Sequence, residues 1–203
     1  GEETVTYDPS STKLLTFHDK IPAFLDGSDT PRAYLERCLE IIEVREPDVK
    51  AFVTMSIDRA RQTADEASER YRKGNPLSPL DGMPIAIKDV FETEHMPMQL
   101  GSPLFEGYET GWDAASVYFL RRGGAVVIGK TVTTEFAFGE PGPARNPWDT
   151  NRTPGGSSSG SGAAVGASMV PAATGTQVRG SVLRPACFCG AWALKPSHGA
   201  INT

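Results

Sequence analysis

Histidine, the base that most serine hydrolases and the ligand that most zinc sites require, is scarce in this chain. Only His18, His95 and His198 occur among 203 residues, and none stands beside clustered carboxylates or cysteines. No metal site is expected, and each histidine is read as a surface or hydrogen-bonded structural residue. Cysteine is equally scarce. Cys38, Cys187 and Cys189 are too few and too oddly numbered for a disulfide framework, and Cys-Phe-Cys lacks companions for a metal. They are read as buried thiols of a reducing, cytoplasmic compartment. Long apolar runs are missing: no stretch of 18 residues could span a membrane. An excess of basic charge is missing too, since the net charge is −5 and the pI about 5.3, which argues against a nucleic-acid partner. The polar opening Gly1-Glu-Glu-Thr-Val-Thr6 has neither a signal peptide nor an initiator methionine, which points to a trimmed or fragmentary chain and to an unused sequon at Asn151-Arg-Thr153. These absences leave a soluble protein with a small-molecule partner, and 39% hydrophobic content over this length allows one cored domain.

What the sequence does have is glycine and serine, concentrated in Pro154–Ala186, PGGSSSGSGAAVGASMVPAATGTQVRGSVLRPA. Glycine lets backbone approach a ligand closely, and a helix that starts just after a Gly-Ser turn aims unpaired N–H groups at developing negative charge. Preorganised donors of that kind make an oxyanion hole. With histidine so scarce, any serine chemistry here needs another base.

Together with Gly82-Met-Pro-Ile-Ala-Ile-Lys-Asp89, this stretch resembles the signature of the amidase signature family, whose members use a Ser, cis-Ser, Lys triad. The resemblance includes Arg184-Pro-Ala186 and Leu194-Lys-Pro-Ser197 and extends from about Pro31 onward. It implies that Ser181 is the nucleophile, that Ser157 is the serine following a cis peptide, and that Lys88 is the base, with the two serines 24 positions apart (181 − 157). It further implies an oxyanion hole from the backbone N–H groups of Val178, Arg179, Gly180 and Ser181, and no cofactor.

Taken in order, residues 1–29 read as an N-terminal tail with a short turn or helix near Leu14–Leu25, and residues 30–203 as the N-terminal part of an amidase-signature α/β domain. Thr30 and Pro31 form an N-cap and first turn. Leu35, Cys38, Leu39 and Ile42 then recur at helical spacing until Pro47, which is expected to stop the helix. Lys50–Ser56 reads as a strand. Ile57, Ala60, Ala64, Ala67 and Tyr71 line one face of a helix closed by Gly74. Pro84–Ile87 is a short apolar strand with Lys88 at its end. Asp113 is expected to cap a helix running through Tyr118, Leu120 and Arg122 to Gly123-Gly124, and Ala125–Ile128 is the next strand. Glu140–Pro154 is a loop. Strands alternating with helices imply an α/β fold with a mixed sheet flanked by helices. Because family members are longer, an exposed apolar surface or edge is expected, open to partner chains or a homo-oligomer.

Three other motifs compete. Gly124-Ala-Val-Val-Ile-Gly129-Lys130-Thr131 satisfies the Walker A pattern, but its middle residues are strand residues and no helix follows. Gly156-Ser-Ser158-Ser-Gly160 satisfies the nucleophile-elbow pattern, but Asp149–Pro154 is no strand and only His198 follows. Ser10-Ser-Thr-Lys13 lies in a polar tail without a matching Lys-Thr-Gly.

A serine hydroxyl is a weak nucleophile until a base lies within hydrogen-bond reach, and a lysine serves only when burial or nearby positive charge makes it neutral. Lys88, at the end of an apolar strand against a glycine-rich wall, suits that task. It would draw a proton from Ser157, which would draw one from Ser181. Arg179 stands where the family carries glycine or alanine, and three consequences stay open: it blocks the pocket, it binds an acidic substrate together with Arg184, or it perturbs Lys88. The expected activity is hydrolysis of a small-molecule carbon–nitrogen amide through a Ser181 acyl-enzyme. The alternatives are a glutamine-using amidotransferase component of a tRNA-dependent complex and an inactive remnant that only binds or assembles.

Overall fold

The two strands at the middle of the sheet are built mainly from small and β-branched apolar residues and each carries a lysine near its end, and every residue in both is buried. They are β2, Pro84–Lys88, and β3, Val126–Thr131, in a computed structural model that describes residues 16–201. Such strands must be covered on both faces. Between them in sequence lies a right-length crossover containing α4, Ala115–Arg122, and the two strands pair in parallel. Strand β1, Phe52–Met55, runs antiparallel to β3, and the two-residue β4, Ala172–Ala173, runs parallel to β2. The sheet order β1-β3-β2-β4 is therefore mixed, as expected for an α/β fold.

Alternation along the strands sends side chains into two cores. Ala86, Val126 and Ile128 pack against α2 (Pro31–Val49), α3 (Ile57–Arg72) and α5 (Ser159–Gly166). Ile85, Ile87 and Val127 pack with Val117 of α4, Tyr71 of α3 and Phe24 of α1 (Ile21–Asp26). Lys88 continues the Ala86 row and so belongs to the α5 side. Asp89 continues the Ile87 row and belongs to the other. The last helix, α6, spans Leu183–Cys189.

Several local expectations change. Pro47 does not stop α2, which runs on to Val49: the Glu46 carbonyl accepts from Lys50 N, and the Glu46 carboxylate accepts from the amides of Ala51 and Phe52. Those bonds and the complete burial of Val49 hold the extra turn although proline supplies no amide proton. Asp113 does not cap α4, because its carboxylate instead accepts from Glu94 N and pairs with Arg121. The strand expected over 125–128 extends through Thr131, and that expected over 50–56 shortens to 52–55. Within residues 1–29 the short turn or helix expected near Leu14–Leu25 is a 3-10 turn at His18–Lys20 followed by α1, with Phe17 and Phe24 buried against Tyr34; Leu14 and Ser10–Lys13 lie outside the described residues. Cys187 is exposed, unlike Cys38 and Cys189, and all three are free thiols. Large apolar side chains also stand in the open after β4: Val178, Trp192 and Leu194.

Helix α5 reaches the sheet through glycine. Gly160 N donates to Val132 O at 2.9 Å, and a Cβ placed on Gly160 would come within 2.2 Å of Ala51 O and 2.4 Å of Val132 N. Backbone cannot move aside as a flexible side chain can. Gly160→Ala is therefore expected to lower unfolding stability by about 3 kcal/mol, an overpacking penalty, in a urea titration; an unchanged midpoint would mean the helix can retreat from the sheet.

Candidate active site

The end of β2, the start of α5 and the segment between β4 and α6 meet at one place. Complete burial of β2 carries Lys88 to the α5 side of the sheet with no exposed surface. Its Nζ lies 2.8 Å from Ser157 Oγ and 2.7 Å from Thr176 Oγ1. The Gly156–Ser157 peptide bond is cis. Among the described residues no carboxylate pairs with Lys88, and burial alone brings its pKa down from 10.5 to about 7. An amine in that state is half deprotonated at neutral pH and can accept a proton from a hydroxyl.

The serine stretch is fixed mainly by backbone bonds. Thr134 N donates to Ser157 O at 3.1 Å, and Ser158 N donates to Ser181 O at 3.0 Å, tying the two serine segments together. Ser161 Oγ donates to Thr174 O and shares a 2.7 Å hydrogen bond with Thr131 Oγ1. Ser157 and Ser181 line one cavity of about 230 Å³, together with Thr134, Gly155, Arg184 and Phe188. Among the described residues the Ser181 hydroxyl makes no hydrogen bond, to Ser157 or to anything else.

The segment before Ser181 holds its amides open. Gln177 Oε1 accepts from Val182 N at 2.9 Å and from Leu183 N at 3.0 Å, closing the loop onto the start of α6. Among the described residues, the amides of Val178, Arg179, Gly180 and Ser181 donate to no partner. Arg184 lies over this loop: a Cβ on Gly180 would come 3.2 Å from its Nη2. It lines the serine cavity and makes no ion pair among the described residues. Arg179 is exposed and lines no part of that cavity. It therefore neither fills the cavity nor depresses Lys88, whose shift comes from burial.

The competing motifs take other places. Lys130 is a buried strand residue paired with Asp89 at 2.8 Å and donating to Pro97 O, so the Walker-like sequence forms no phosphate loop. Ser158, the elbow serine, bonds weakly to the Thr176 backbone at 3.3 and 3.4 Å and lines a different, smaller cavity. The residues that sequence reasoning passed over are Thr174, Thr176 and Gln177. The signal for them is the polar run Thr174-Gly-Thr-Gln177 between two apolar elements.

On this α/β scaffold a buried lysine lies within hydrogen-bond reach of one serine, with a second serine lining the same cavity and unpaired amides beside it. Comparison with known proteins is more specific. The chain matches the Amidase family over residues 33–203 and belongs to that family. It is 42% identical over 186 residues to a glutamyl-tRNA(Gln) amidotransferase subunit of Chloroflexus aggregans, covering 89% of this chain and 38% of that protein. The same amidotransferase component from Anaeromyxobacter is 42% identical over 174 residues, covering 83% of this chain and 35% of that one. Among solved structures, a protein from a vestigial complex that reveals the origins of an s-triazine catabolic enzyme superposes with a TM-score of 0.86 at 36% identity, covering 91% of this chain and 42% of that chain. The peptide amidase of Stenotrophomonas maltophilia superposes with a TM-score of 0.79 at 30% identity, covering 87% and 38%. The chain thus spans little more than a third of the length of the curated relatives it matches.

Lys88 leaves a sign in stability. Below pH 7 it is protonated folded and unfolded; between 7 and 10.5 only the unfolded chain holds the proton, so raising the pH favours the folded state. The unfolding free energy of the wild type relative to Lys88→Met should therefore rise from pH 7 toward pH 10 in denaturant titrations. A pH-independent difference would contradict a depressed lysine.

Proposed function

We propose that the complete protein hydrolyses a carbon–nitrogen amide bond of a small molecule through an acyl-enzyme on Ser181, with Ser157 and Lys88 as a proton relay. The observation that carries this reading is the 2.8 Å approach of a fully buried, carboxylate-free lysine to Ser157, in a cavity shared with Ser181. Neutral Lys88 takes the Ser157 proton as Ser157 takes that of Ser181, and the freed oxygen forms a bond to the amide carbon. The amides of Val178–Ser181 receive the oxyanion, each donor being worth about 3–4 kcal/mol in such holes. Collapse breaks the C–N bond, with the proton returning through the relay to the leaving nitrogen. Water then releases the acyl group by the same steps.

Arg184, unpaired at the cavity wall, favours an amide that also bears an acidic group, with Arg179 acting from the exposed side of the same loop. A glutamine-using amidotransferase component is the second reading, favoured by the 42% identity to proteins of that name. It predicts partner chains that co-purify and ammonia release from glutamine.

For the full-length protein, Ser181→Ala should reduce amide turnover to background, and Ser157→Ala or Lys88→Ala should reduce kcat/KM by about 10²–10⁴-fold. The wild-type kcat/KM should rise with pH through about 7 as Lys88 loses its proton. Arg184→Gln should raise KM for carboxylate-bearing amides and leave neutral amides nearly unchanged. Full turnover by the Lys88 variant would remove the lysine from the reaction, and absence of turnover by the wild type on acidic and neutral amides alike would leave a binding or assembly role.

A further inference from the structure

We propose that Thr176 is a positioning residue: its hydroxyl is the second hydrogen-bond acceptor that lets the Lys88 amine aim its lone pair at Ser157 and then hold the proton it receives. This rests on the reading of Lys88 as the base. Lys88 Nζ has two neighbours within hydrogen-bond distance, Ser157 Oγ at 2.8 Å and Thr176 Oγ1 at 2.7 Å. A neutral amine carries two N–H donors and one lone pair. If an N–H is given to Thr176, the lone pair is free for the Ser157 proton; without that acceptor, nothing fixes which way the amine turns.

The need grows when the proton moves. Ser157 Oγ–H breaks, Lys88 Nζ–H forms, and Ser157 regains a proton from Ser181, so the amine becomes a buried ammonium. Buried charge without compensation is costly, and hydrogen bonds to a charged group are stronger than those between neutral groups. Among the described residues no carboxylate answers it. Asp89, the residue just after its own strand, lies on the opposite row and is occupied by Lys130 at 2.8 Å. From β3 comes Thr131, engaged with Ser161; from α5 and the residues just before it come Ser161, Ser157 and Ser158, all hydroxyls; from α6 comes Arg184, which is itself a cation at the cavity wall. Thr176 is what remains to accept.

The fold places it deliberately. After β4, Thr174 N donates to Ala86 O and Thr174 Oγ1 accepts from Lys88 N at 3.0 Å, which carries the chain across the end of β2. Gly175 lets that crossing come close, since a Cβ there would lie 2.9 Å from both Ser158 Oγ and Val182 Cγ2. Two residues beyond Thr174, the Thr176 backbone meets Ser158 Oγ, so the hydroxyl that faces Lys88 is hung on the neighbour of Ser157.

The test is a titration of Lys88 in the full-length protein carrying ¹³Cε-lysine, its signal assigned by its loss in Lys88→Met. Thr176→Val should lower the Lys88 midpoint by about one pH unit, a tenfold loss of proton affinity, and Thr176→Ser should restore it. The acid limb of labelling by a phosphonate probe should move down in parallel, with a plateau rate about tenfold lower. A merely structural role would slow labelling without moving the midpoint. If Thr176→Val does not fold, Thr176→Ala carries the same expectation. An unmoved or raised midpoint in a folded Val or Ala variant overturns the proposal, as does a Ser variant that behaves like Val. The titration needs no substrate, so a midpoint that moves as expected in a protein that cleaves no amide would remove the amidase reading and leave the Thr176–Lys88 pairing standing.

Discussion

The arrangement depends on one constraint: Lys88 is fully buried and is met by hydroxyls rather than by a carboxylate. Taking an ammonium out of water costs several kcal/mol unless a counter-charge stands beside it. The same sheet carries the contrasting solution on the neighbouring strand. Lys130, equally buried, has Asp89 at 2.8 Å and the Pro97 carbonyl, so its charge is accommodated on the far side of the sheet. Lys88 and Asp89 are sequence neighbours, but strand alternation sends them to opposite faces. The nearby buried carboxylate of Asp89 is thus kept away from Lys88, whose neutrality the proposed relay requires.

Bringing that lysine to two serine segments requires backbones to approach more closely than side chains permit. Four positions in and before α5 do this. Gly155 faces Pro185, where a Cβ would lie 3.2 Å from Cα; Gly160 faces Ala51 O and Val132; Gly162 faces Pro185; and Gly166 would place a Cβ 2.2 Å from Cys189 O. The last two are one helical turn apart and seat α6 directly on α5. Ser157 stands just before α5, and Ser181 just before α6, so this packing fixes the separation of the serines. The Ser158 N to Ser181 O bond closes the same gap from the N-terminal side. Small residues here set distances between functional groups, beyond merely permitting turns.

Much of this is legible in the sequence, for identifiable reasons. Apolar strands β2 and β3, the Thr30-Pro31 start of α2 and the alanine face of α3 announce themselves by period and capping, and the mixed sheet follows from alternation of elements. The two-residue β4 is invisible because a strand so short has no period. Pro47 misleads because proline's usual effect is local, while the turn that survives it is held by Glu46 and the buried Val49. Asp113 misleads because a capping residue is identified by proximity in sequence, and Glu94 and Arg121 compete for it through space. Lys88, Ser157, Ser181 and Arg184 stand out through a family pattern. Thr176 and Gln177 do not: the polar run Thr174–Gln177 marks the segment, but their partners, Lys88 and the Val182 and Leu183 amides, become known only from the fold.

On this account the lysine, the two serine segments and the open amides all serve to make Ser181 a nucleophile. The most direct test is to incubate the full-length protein with a serine-directed phosphonate and map the added mass by peptide sequencing in a mass spectrometer. A single adduct on Ser181, absent from Ser181→Ala, is the predicted result. An adduct on Ser157 or Ser158, or unchanged labelling of Ser181→Ala, would contradict it.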